Sequence, residues 1–474
     1  MVKFSKRSKW LIGLGFALLV LTALMNIGFI AIDDYACIIE KIIPAQNLTF
    51  NQVIAERDIR SPFAPLVLLG VTKLGWYLGI QDPAWQFRFL SLLVGFFSYS
   101  AFSWVGIRLF KENNRKIEWF LFLSGFYFLS PVFFSRILIE SLSMPFITLS
   151  CWFAQHYWER TDRKSLGLSL LFLVLASMFR FQAGICFVGI FFLVALKRNF
   201  PELLVFVLMA IMGFLITGAL DYLLTGAFHG SLFTYVGYNL KYSSGFGVTP
   251  FYTFLLIFLG LSLPPSLIGR YCGLSWKQEF AGLIAPVLYI SVFLFAHSIV
   301  PHKEERFVIP ILQLFLILLV PFLAFIAADN PRSWRLKWFV GLNLILLPLA
   351  CFNIAQNNVI SLVRFLHTNP NIKNIVGVEE TFVLYTKAFL LKPPKLIKLS
   401  VEDVEQLRGL DCDVLIAIRR DYEKQLNQFL KFHTKLVEFS PGPLEELVIK
   451  FNPKQNIRRG TIALYSDPKC VSRF

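Results

Sequence analysis

Long uncharged apolar runs recur along the chain from its start to residue 352. They lie at 10–32, 63–80, 89–107, 117–134, 138–155, 165–179, 182–196, 202–220, 251–269, 281–300, 307–327 and 336–352. Most of them approach the ~20 residues that a helix needs to cross the apolar core of a bilayer. The pattern predicts an all-α membrane protein that crosses the bilayer many times.

Basic residues between the runs predict the topology, because Lys and Arg in short loops prefer the cytoplasmic side. The clusters lie at 3–9, 108–116, 160–164, 197–198, 270–277 and 332–337. If every run crossed the membrane, the first two clusters would lie on opposite sides. All clusters lie on the cytoplasmic side only if one of the early runs does not cross. The best candidate is 63–80, whose Pro65, Gly70 and Gly75 suit an interfacial or re-entrant segment. We therefore expect about eleven transmembrane helices.

The opposite, extracytoplasmic face then carries the remaining connections. These are 33–88, 135–137, the turn around Arg180, 221–250, 301–306 and everything after about 353. The run 10–32 follows basic residues, as a signal peptide does, but no small-residue cleavage site follows it cleanly. We expect it to be a retained first helix.

After residue 352 the pattern becomes that of a soluble domain. The segments 382–385 (FVLY) and 414–418 (VLIAI) are typical of buried strands, and 422–439 of an amphipathic helix. We predict a transmembrane domain over 1–352, in which 33–88 is the first external loop with interfacial helices, and a small extracytoplasmic α/β domain over 353–474. The latter has no phosphate-loop or metal-ligand spacing, so we expect it to support the transmembrane domain or contact an acceptor, and not to carry chemistry.

Composition narrows the class further. Of the 474 residues, 56% are hydrophobic and 16% charged, and the mean hydropathy is +0.61. Soluble domains carry about 25% charged residues, so soluble enzyme folds and nucleic-acid modules are excluded. The net charge of +16 comes mostly from basic residues in the short loops between the apolar runs, so it indicates topology and not a nucleic-acid partner. Seven scattered cysteines indicate neither a zinc site nor a disulfide framework. We expect no metal and no cofactor.

Arg180 separates two unusually short apolar runs, 165–179 and 182–196. Each would reach only about 21 to 23 Å as a helix, so Arg180 should turn below the membrane surface. Short paired helices with an ionisable tip are typical of intramembrane sites, because a buried arginine must find an anion or carbonyl groups.

Five ionisable residues follow one another where two apolar runs meet: His302, Lys303, Glu304, Glu305 and Arg306. A charged loop is often only a solvated hairpin, but this one lies on the face opposite the basic loops, against the positive-inside preference. Lys303 and Arg306 can neutralise phosphate oxygens, His302 can donate a hydrogen bond, and Glu304 or Glu305 can orient the cations. The run predicts a binding site for a lipid-linked phosphate.

This run also carries a family resemblance. The six residues HKEERF that start at His302 resemble the HKExRF signature of glycosyltransferase family 22. That family contains dolichyl-phosphate-mannose-dependent α-mannosyltransferases of N-glycan and GPI-anchor assembly. The resemblance implies the GT-C membrane fold, an inverting transfer that turns a β-linked donor into an α-linked product, and a polyprenyl-phosphate-linked mannose as donor.

Weaker matches extend the resemblance over roughly 30–310. The family's motifs are similar to Arg60-Ser61-Pro62, to Arg88 with Leu90, to Phe179-Arg180-Phe181-Gln182, and to Tyr238-Asn239 with the later Gly245-Phe246-Gly247. GT-C enzymes take their catalytic carboxylate from the first external loop. The family has His-Pro-Asp-Glu there and this chain has Ile32-Asp33-Asp34-Tyr35. The resemblance therefore implies Asp33 as base and Asp34 second.

A single base suits this chemistry, because a phosphate leaving group stabilised by cations needs no strong general acid. Four further residues on the predicted external face are candidates for substrate contact: Arg60, Arg136, Glu140 and Asn239. Arg136 and Glu140 also have the i,i+4 spacing of a simple helical ion pair. We interpret His229 and His297 as interfacial or bonded to backbone.

We therefore predict an inverting membrane α-mannosyltransferase that acts outside the cytoplasm on a glycolipid or glycan acceptor. We expect it to be a monomer and to bind no nucleic acid. We expect a bacterial inner membrane, with the endoplasmic reticulum as the alternative. A transporter or flippase of a lipid-linked saccharide is the other function class, although it should show two symmetric halves. A non-catalytic scaffold would not explain the charged external hairpin.

Overall fold

The computed structural model describes residues 4–30, 35–43, 60–269, 271, 274–379, 387–403, 412–451 and 459–473. The chain divides into two units. The first comprises Met1–Ala23, Thr49–Val67 and Ser91–Cys351, and the second Leu24–Leu48, Leu68–Leu90 and Phe352–Phe474.

The first unit is helical, and three of its helices, Lys6–Met25, Phe63–Tyr77 and Pro83–Leu109, contribute residues to both units. The helices are α1 Lys6–Met25, α2 Phe63–Tyr77, α3 Pro83–Leu109, α4 Asn114–Phe126, α5 Ser130–Ser135, α6 Ile139–Arg160, α7 Arg163–Phe179, α8 Cys186–Leu196, α9 Phe200–Thr225, α10 Gly230–Tyr242, α11 Thr253–Leu261, α12 Trp276–Ala281, α13 Ile284–Ile299, α14 Leu312–Asp329 and α15 Trp334–Phe352. Three 3₁₀ turns lie at Phe181–Ile185, Ser243–Phe246 and Glu305–Ile311.

Within the described residues, five helical segments are long and apolar enough to cross a membrane: Lys6–Met25, Pro83–Leu109, Phe200–Thr225, Glu305–Asp329 and Trp334–Thr368. Shorter apolar helices include Phe63–Tyr77, Phe181–Leu196 and Ile284–Ile299. The chain is a multi-pass membrane protein, and the count of about eleven crossings stays a prediction.

Two predicted segments have a different structure. The run 251–269 is helical only over Thr253–Leu261, which is too short to span, and the predicted loop 221–250 contains the helix Gly230–Tyr242. The helix α10 is not evident from the sequence, because it mixes exposed apolar residues, such as Phe233 and Leu240, with several polar residues. Its apolar content is therefore below that of a membrane-spanning segment.

Buried hydroxyl and amide groups join the helices of the first unit. The hydroxyl groups of Ser150 and Tyr289 lie 2.8 Å apart, and Ser169 donates to the Ser150 carbonyl oxygen at 2.8 Å. Thr148 donates to the side-chain oxygen of Gln313 at 2.6 Å. Lipid tails are as apolar as the helices, so the hydrophobic effect does not drive helix association inside a membrane. Hydrogen bonds of this kind and close packing hold the helices together instead.

Close packing is most evident where α1 crosses α4. A Cβ atom placed on Gly15 would lie 2.8 Å from the Cα atom of Gly125. Only glycine allows two helix backbones to approach this closely.

The helix α9 is apolar around its whole circumference, and much of it is exposed. Leu208, Ile211 and Met212 are each more than half exposed, as are Leu215 and Ile216. Such a surface would be unfavourable in water, and it is the surface expected of a helix that faces lipid.

The second unit contains a five-stranded sheet. Its strands are β1 Asn374–Val378, β2 Lys395–Leu399, β3 Val414–Arg419, β4 Thr434–Phe439 and β5 Ile462–Ser466. The order is β2-β1-β3-β5-β4; β1 is parallel to β2 and β3, and β5 is antiparallel to β3 and β4. Helices Asn357–Thr368 and Pro443–Phe451 belong to the same unit, as do the short turns Arg420–Glu423 and Asn427–Leu430.

The strand predicted at 414–418 is β3, and that prediction is confirmed. The prediction of one helix over 422–439 is wrong, because this segment forms two short helical turns followed by β4. Since β4 is an edge strand with a mixed burial pattern, its sequence lacks the clear alternation of a half-buried strand. The strand predicted at 382–385 lies outside the described residues.

A disulfide bond joins Cys412 to Cys470, which are 58 residues apart. The expectation that the cysteines indicate no disulfide is therefore wrong for this pair. A spacing of this length has no sequence signature, and only the sheet brings β3 and the segment after β5 together.

Candidate functional site

Arg180 lies at the junction of two short helices, as the sequence predicts. The side chain of Asp162 accepts hydrogen bonds from the backbone of Lys164 and Ser165 and caps the start of α7. The helix ends at Phe179, and Arg180 has an extended backbone before the 3₁₀ turn Phe181–Ile185. The prediction of paired short helices with an arginine between them is confirmed.

Arg180 forms a buried ion pair with Glu140. Its Nη1 donates to Glu140 Oε1, and the two side chains are only 3% and 1% exposed. Glu140 lies in the first turn of α6, where the partial positive charge of the helix N-terminus favours a carboxylate. A charge pair this deep is expensive to desolvate, so its presence is weak evidence for a stabilising role and makes it a candidate for function.

The interpretation of Arg136 and Glu140 as an i,i+4 helical pair is wrong. The helix α6 begins at Ile139, and Arg136 precedes it in extended backbone. Arg136 is itself buried, at 5% exposure. It therefore enters the interior from the connection before α6.

The buried pair leaves hydrogen-bonding groups unused. In the part of the chain that the structure describes, Arg180 Nε and Nη2 and Glu140 Oε2 are buried without a hydrogen-bond partner. His297 Nε2 is in the same condition, while its Nδ1 lies 2.8 Å from the Phe293 carbonyl oxygen. Unsatisfied buried donors cost about 1 to 3 kcal/mol each, so such groups mark a place for a ligand or ordered water.

Glu304 organises the charged hairpin. Its Oε2 accepts a hydrogen bond from Arg306 Nε at 2.5 Å, and its Oε1 lies 2.9 Å from His302 Nε2. Burial acts to raise the pKa of Glu304, but Arg306 and His302 outweigh it, so the pKa is lowered overall. Glu305 is exposed. Of the two carboxylates that the sequence left open, Glu304 is the one that orients the cations.

Phe307 connects this hairpin with Arg180. The Cζ atom of Arg180 lies 5.6 Å from the centre of the Phe307 ring, and that of Arg306 lies 5.7 Å from it. The His302 ring meets Phe307 edge-on, with the centroids 6.1 Å apart. Three of the residues predicted to bind phosphate thus surround one aromatic ring.

Lys303 has a different position. It is 9% exposed, and its Nζ donates to the backbone carbonyl oxygens of Val300 at 2.7 Å and Thr249 at 3.1 Å. The Thr249 amide also donates to the Pro301 carbonyl oxygen at 3.1 Å. The ammonium group therefore ties the segment before α11 to the hairpin.

The segment around Arg60 packs on the end of α7. Ser61 Oγ donates to the Met178 carbonyl oxygen at 2.5 Å, and the rings of Phe63 and Phe179 are 4.9 Å apart. These contacts hold the weaker RS motif beside the turn that contains Arg180.

Gln182 and Tyr235 complete the polar surroundings of Arg180. Gln182 Nε2 donates to the Tyr235 hydroxyl oxygen, and the ring of Tyr235 lies 5.8 Å from that of Phe181. Burial raises the pKa of Tyr235, although the charges of Arg180 and Arg60 act to lower it. The tyrosine therefore stays protonated and keeps a hydroxyl proton to donate.

Other polar candidates are occupied by backbone. Asn239 Nδ2 donates to the Tyr235 carbonyl oxygen one turn earlier in α10, at 2.8 Å. His229 Nε2 lies 2.8 Å from the Phe214 carbonyl oxygen, which agrees with its interpretation as a backbone-bonded residue. Neither side chain bonds to Arg180 or to the hairpin in the described structure.

An apolar cavity of about 260 Å³ adjoins the Arg180 turn. Its wall includes Ser61, Phe181 and Phe187, with Val174 from α7 and Phe214 from α9. The cavity is therefore bounded by two elements that flank Arg180 in space, the Ser61 segment and the 3₁₀ turn.

The predicted carboxylates, Asp33 and Asp34, lie outside the described residues. The next residue, Tyr35, is fully buried in the second unit. Its hydroxyl oxygen accepts a hydrogen bond from the Ala388 amide at 3.0 Å, and its ring lies 5.2 Å from Phe29 and 6.0 Å from Phe389. The chain is thus fixed in position directly after the predicted base.

Among the residues that the structure describes, no group of three or more His, Cys, Asp or Glu side chains is arranged to hold a metal ion.

Comparison with known proteins decides the family. The family model of the Alg9-like mannosyltransferases matches residues 54–386, which is well over half of the chain. The chain belongs to this family. Membership places it among the membrane glycosyltransferases, and it confirms the resemblance carried by the HKEERF run.

Two curated relatives of this chain are similar at low identity. GPI mannosyltransferase 3 of Saccharomyces cerevisiae is 25% identical over 284 residues, which are 54% of this chain and 45% of the yeast protein. GPI mannosyltransferase 3 of Debaryomyces hansenii is 24% identical over 388 residues, or 76% of this chain and 67% of that protein. The chain thus spans about half the length of the first relative and about two thirds of the second.

Solved structures extend the comparison to the fold. The apo crystal structure of ArnT from Cupriavidus metallidurans has a TM-score of 0.59 at 12% identity and covers 99% of both chains. ArnT bound to undecaprenyl phosphate has a TM-score of 0.55 at 13% identity, covering 96% of this chain and 97% of that one. The chain therefore has the fold of a GT-C membrane glycosyltransferase.

Some site residues were not found by sequence reasoning. Phe307 belongs to the motif but looked like the first apolar residue of a helix, and Gln182 looked like part of a turn. Tyr235 gave no signal, because its segment was interpreted as an external loop. Phe307 contacts Arg180 and Arg306, and Gln182 bonds to Tyr235; sequence spacing does not reveal such contacts.

Proposed function

We propose that this chain is an inverting α-mannosyltransferase that transfers mannose from polyprenyl-phosphate-mannose to a glycolipid or glycan acceptor. The proposal places the reaction on the extracytoplasmic side of a bacterial inner membrane, or on the lumenal side if the membrane is that of the endoplasmic reticulum. The enzyme works as a monomer and without a metal.

One observation carries the proposal. The side chain of Arg180 is only 3% exposed, yet two of its nitrogen atoms, Nε and Nη2, have no hydrogen-bond partner in the described structure. A guanidinium with two free donors matches two phosphate oxygens. Arg306 and His302 share the Phe307 ring with it, so the donors converge on one region.

The comparisons support the substrate class. The relatives are named GPI mannosyltransferase 3, which favours mannose as the sugar and a GPI-type glycolipid as acceptor. The related fold of ArnT has been observed with undecaprenyl phosphate, which favours a polyprenyl phosphate carrier. The apolar cavity beside Arg180 offers room for the first isoprene units of that carrier.

The chemistry is a single displacement. A base, proposed to be Asp33 with Asp34 second, takes the proton of the acceptor hydroxyl as its oxygen attacks the anomeric carbon. The bond between that carbon and the phosphate oxygen breaks, and polyprenyl phosphate leaves with both electrons. Arg180, Arg306 and His302 stabilise the charge that develops on the phosphate.

The disulfide supports the proposed side of the membrane. Disulfides persist in oxidising compartments and are rare in the cytosol. The Cys412–Cys470 bond therefore favours an extracytoplasmic location for the C-terminal sheet.

The test is transfer by the purified full-length protein in liposomes that contain polyprenyl-phosphate-[¹⁴C]mannose and a mannosylated GPI precursor. We expect a radiolabelled product with an α linkage and release of polyprenyl phosphate in equal amount. GDP-mannose should not replace the donor. Asp33→Asn should abolish transfer while donor binding persists, and Glu305→Gln is the matched control.

Donor turnover without mannose in the acceptor, or movement of labelled lipid across the bilayer without product, would refute the transferase proposal. The latter result would identify a flippase. Transfer at a near-normal rate by Asp33→Asn would remove only that residue from the mechanism, and Asp34→Asn would be tested next.

A further inference from the structure

A second cavity, of about 520 Å³, lies among the ends of α3, α4 and α6. Most of its lining residues belong to or adjoin the basic clusters 108–116 and 160–164, which the positive-inside rule assigns to the cytoplasm. On that assignment it opens on the membrane face opposite the Arg180 site, so the proposed transfer reaction has no use for it.

Four cations border this cavity: Arg108, Lys111, Lys116 and Arg160. Lys116 is already paired with Glu279, and both of these side chains are largely buried, at 19% and 24% exposure. Lys111 has a loose contact with Glu112 at 4.0 Å. These pairs use up two of the cavity's carboxylates.

The two arginines are different. Within the described residues neither Arg108 nor Arg160 has a carboxylate partner, and both side chains are exposed. Arg108 instead lies over the ring of Trp104, with its Cζ atom 5.6 Å from the ring centre. The third carboxylate, Glu159, accepts a hydrogen bond from Gln155 at 3.0 Å. An unneutralised pair of guanidinium groups therefore remains at the cavity.

The cavity wall is fixed and partly aromatic. Gln155 is 1% exposed, and its side-chain oxygen accepts a hydrogen bond from the Ala285 amide at 3.0 Å. The ring of Trp152 stacks on that of His156 at 5.4 Å, and His156 Nδ1 lies 2.8 Å from Ser165 Oγ. Tryptophan is enriched where membrane helices meet the lipid headgroups.

We propose that this cavity binds an anionic phosphate group, with Arg108 and Arg160 as its ligands. Arginine suits this role because its planar donors match phosphate oxygens. Basic pockets between membrane helices on the cytoplasmic side bind anionic headgroups by the same chemistry. The phosphate comes either from a phospholipid of the cytoplasmic leaflet or from a soluble phosphate ester.

The test measures retained ligand on the full-length protein in detergent by native mass spectrometry. The probes are dioleoyl phosphatidylglycerol, dioleoylglycerol as the lipid without phosphate, and sn-glycerol 3-phosphate as the soluble ester. The variants are Arg108→Gln, Arg160→Gln and the double variant. Arg115→Gln is the matched control, because Arg115 is an exposed arginine on the same face that does not line the cavity.

We expect wild type to retain phosphatidylglycerol and to release dioleoylglycerol. Each single variant should weaken retention about threefold to tenfold, a modest effect because both arginines are exposed, and the double variant more. Competition by glycerol 3-phosphate at micromolar concentration would support the phosphate site and identify a soluble ligand. Lack of competition would identify the lipid.

Equal retention of phosphatidylglycerol by wild type and the double variant would overturn the proposal. So would an equal loss in Arg115→Gln, which would indicate only general attraction to a basic face. If the double variant cannot be purified, the two single variants decide by the same comparison.

Discussion

The guanidinium of Arg180 lies over the ring of Phe307, with its Cζ atom 5.6 Å from the ring centre. Arg306 approaches the same ring at 5.7 Å. The phenylalanine ring therefore contacts two guanidinium groups. These two positive charges repel each other, and the repulsion is strong in apolar surroundings. Glu140 and Glu304 reduce that repulsion, one on each arginine.

Replacing the Phe307 ring should weaken donor binding. Cation–π contacts contribute about 0.5 to 2 kcal/mol each, so Phe307→Leu should raise the KM for the donor by roughly 3- to 30-fold. Phe307→Tyr keeps the ring face and should stay near wild type. Steady-state kinetics with both variants checks this, and a normal donor KM in Phe307→Leu would show that the ring only fills space.

Variants that replace each charged side chain of the Glu140–Arg180 pair by a neutral amide can separate its effect on folding from its effect on function. Arg180→Gln or Glu140→Gln alone leaves one buried charge without its partner, which should destabilise the protein by about 3 to 5 kcal/mol. The double variant removes both charges and should recover most of the thermal stability. It should nevertheless lack transferase activity, because the guanidinium that we propose to bind the donor phosphate is gone.

Thermal unfolding in detergent and the transfer assay together check that expectation. An active double variant would contradict the assigned role of Arg180. Failure of the double variant to recover stability would mean that the pair is needed for folding.

The neighbouring residues Glu304 and Glu305 form a matched pair. Glu304→Gln should raise the donor KM about tenfold, because Arg306 loses its charged partner and its orientation. Glu305→Gln should change it by less than about twofold, since surface charges contribute little. Similar effects from both variants would contradict the role of Glu304 in orienting Arg306.

Glu304 should also give a pH dependence of stability. Its pKa in the folded protein is below the usual 4.5, so its contribution is present above that value and is lost as pH falls through the folded pKa. The difference in melting temperature between wild type and Glu304→Gln should therefore be present at about pH 5 and shrink below about pH 4.5. A difference that disappears already near neutral pH would contradict this.

Lys303 should act on the hairpin's attachment and only indirectly on the donor. Lys303→Met removes both hydrogen bonds to carbonyl oxygens, so amide hydrogen exchange around Thr249 should increase. Lys303→Arg can still donate and should restore much of the protection. A large rise in donor KM with unchanged exchange would instead favour the direct phosphate contact that the sequence suggests.

Cysteine labelling tests the topology. Asn371 and Asn114 are both exposed, and the predicted topology places them on opposite sides of the membrane. Asn371→Cys should react with an impermeant thiol reagent added outside intact cells, and Asn114→Cys should not. The background should lack the native thiols but keep Cys412 and Cys470. Reversed labelling would place the C-terminal sheet in the cytoplasm.

The paired helices around Arg180 and the charged hairpin could be predicted because each is a local pattern. A run of apolar residues too short to span, with one arginine at its end, has few structural solutions in a bilayer. The same locality explains the strand at Val414–Arg419, whose residues are almost all apolar and buried. The edge strand Thr434–Phe439 was mistaken for a helix because its two faces differ less in burial.

By itself, the sequence determined the membrane class and the family, and it predicted the residues of the proposed phosphate site. Only the tertiary structure decided that Arg180 pairs with Glu140 and not with a hairpin carboxylate, that Lys303 bonds to carbonyl oxygens, and that Cys412 meets Cys470. The physical reason is that apolar periodicity and motif spacing act over a few residues. The partner of a buried charge or thiol is chosen by helix and strand packing between segments far apart in the chain.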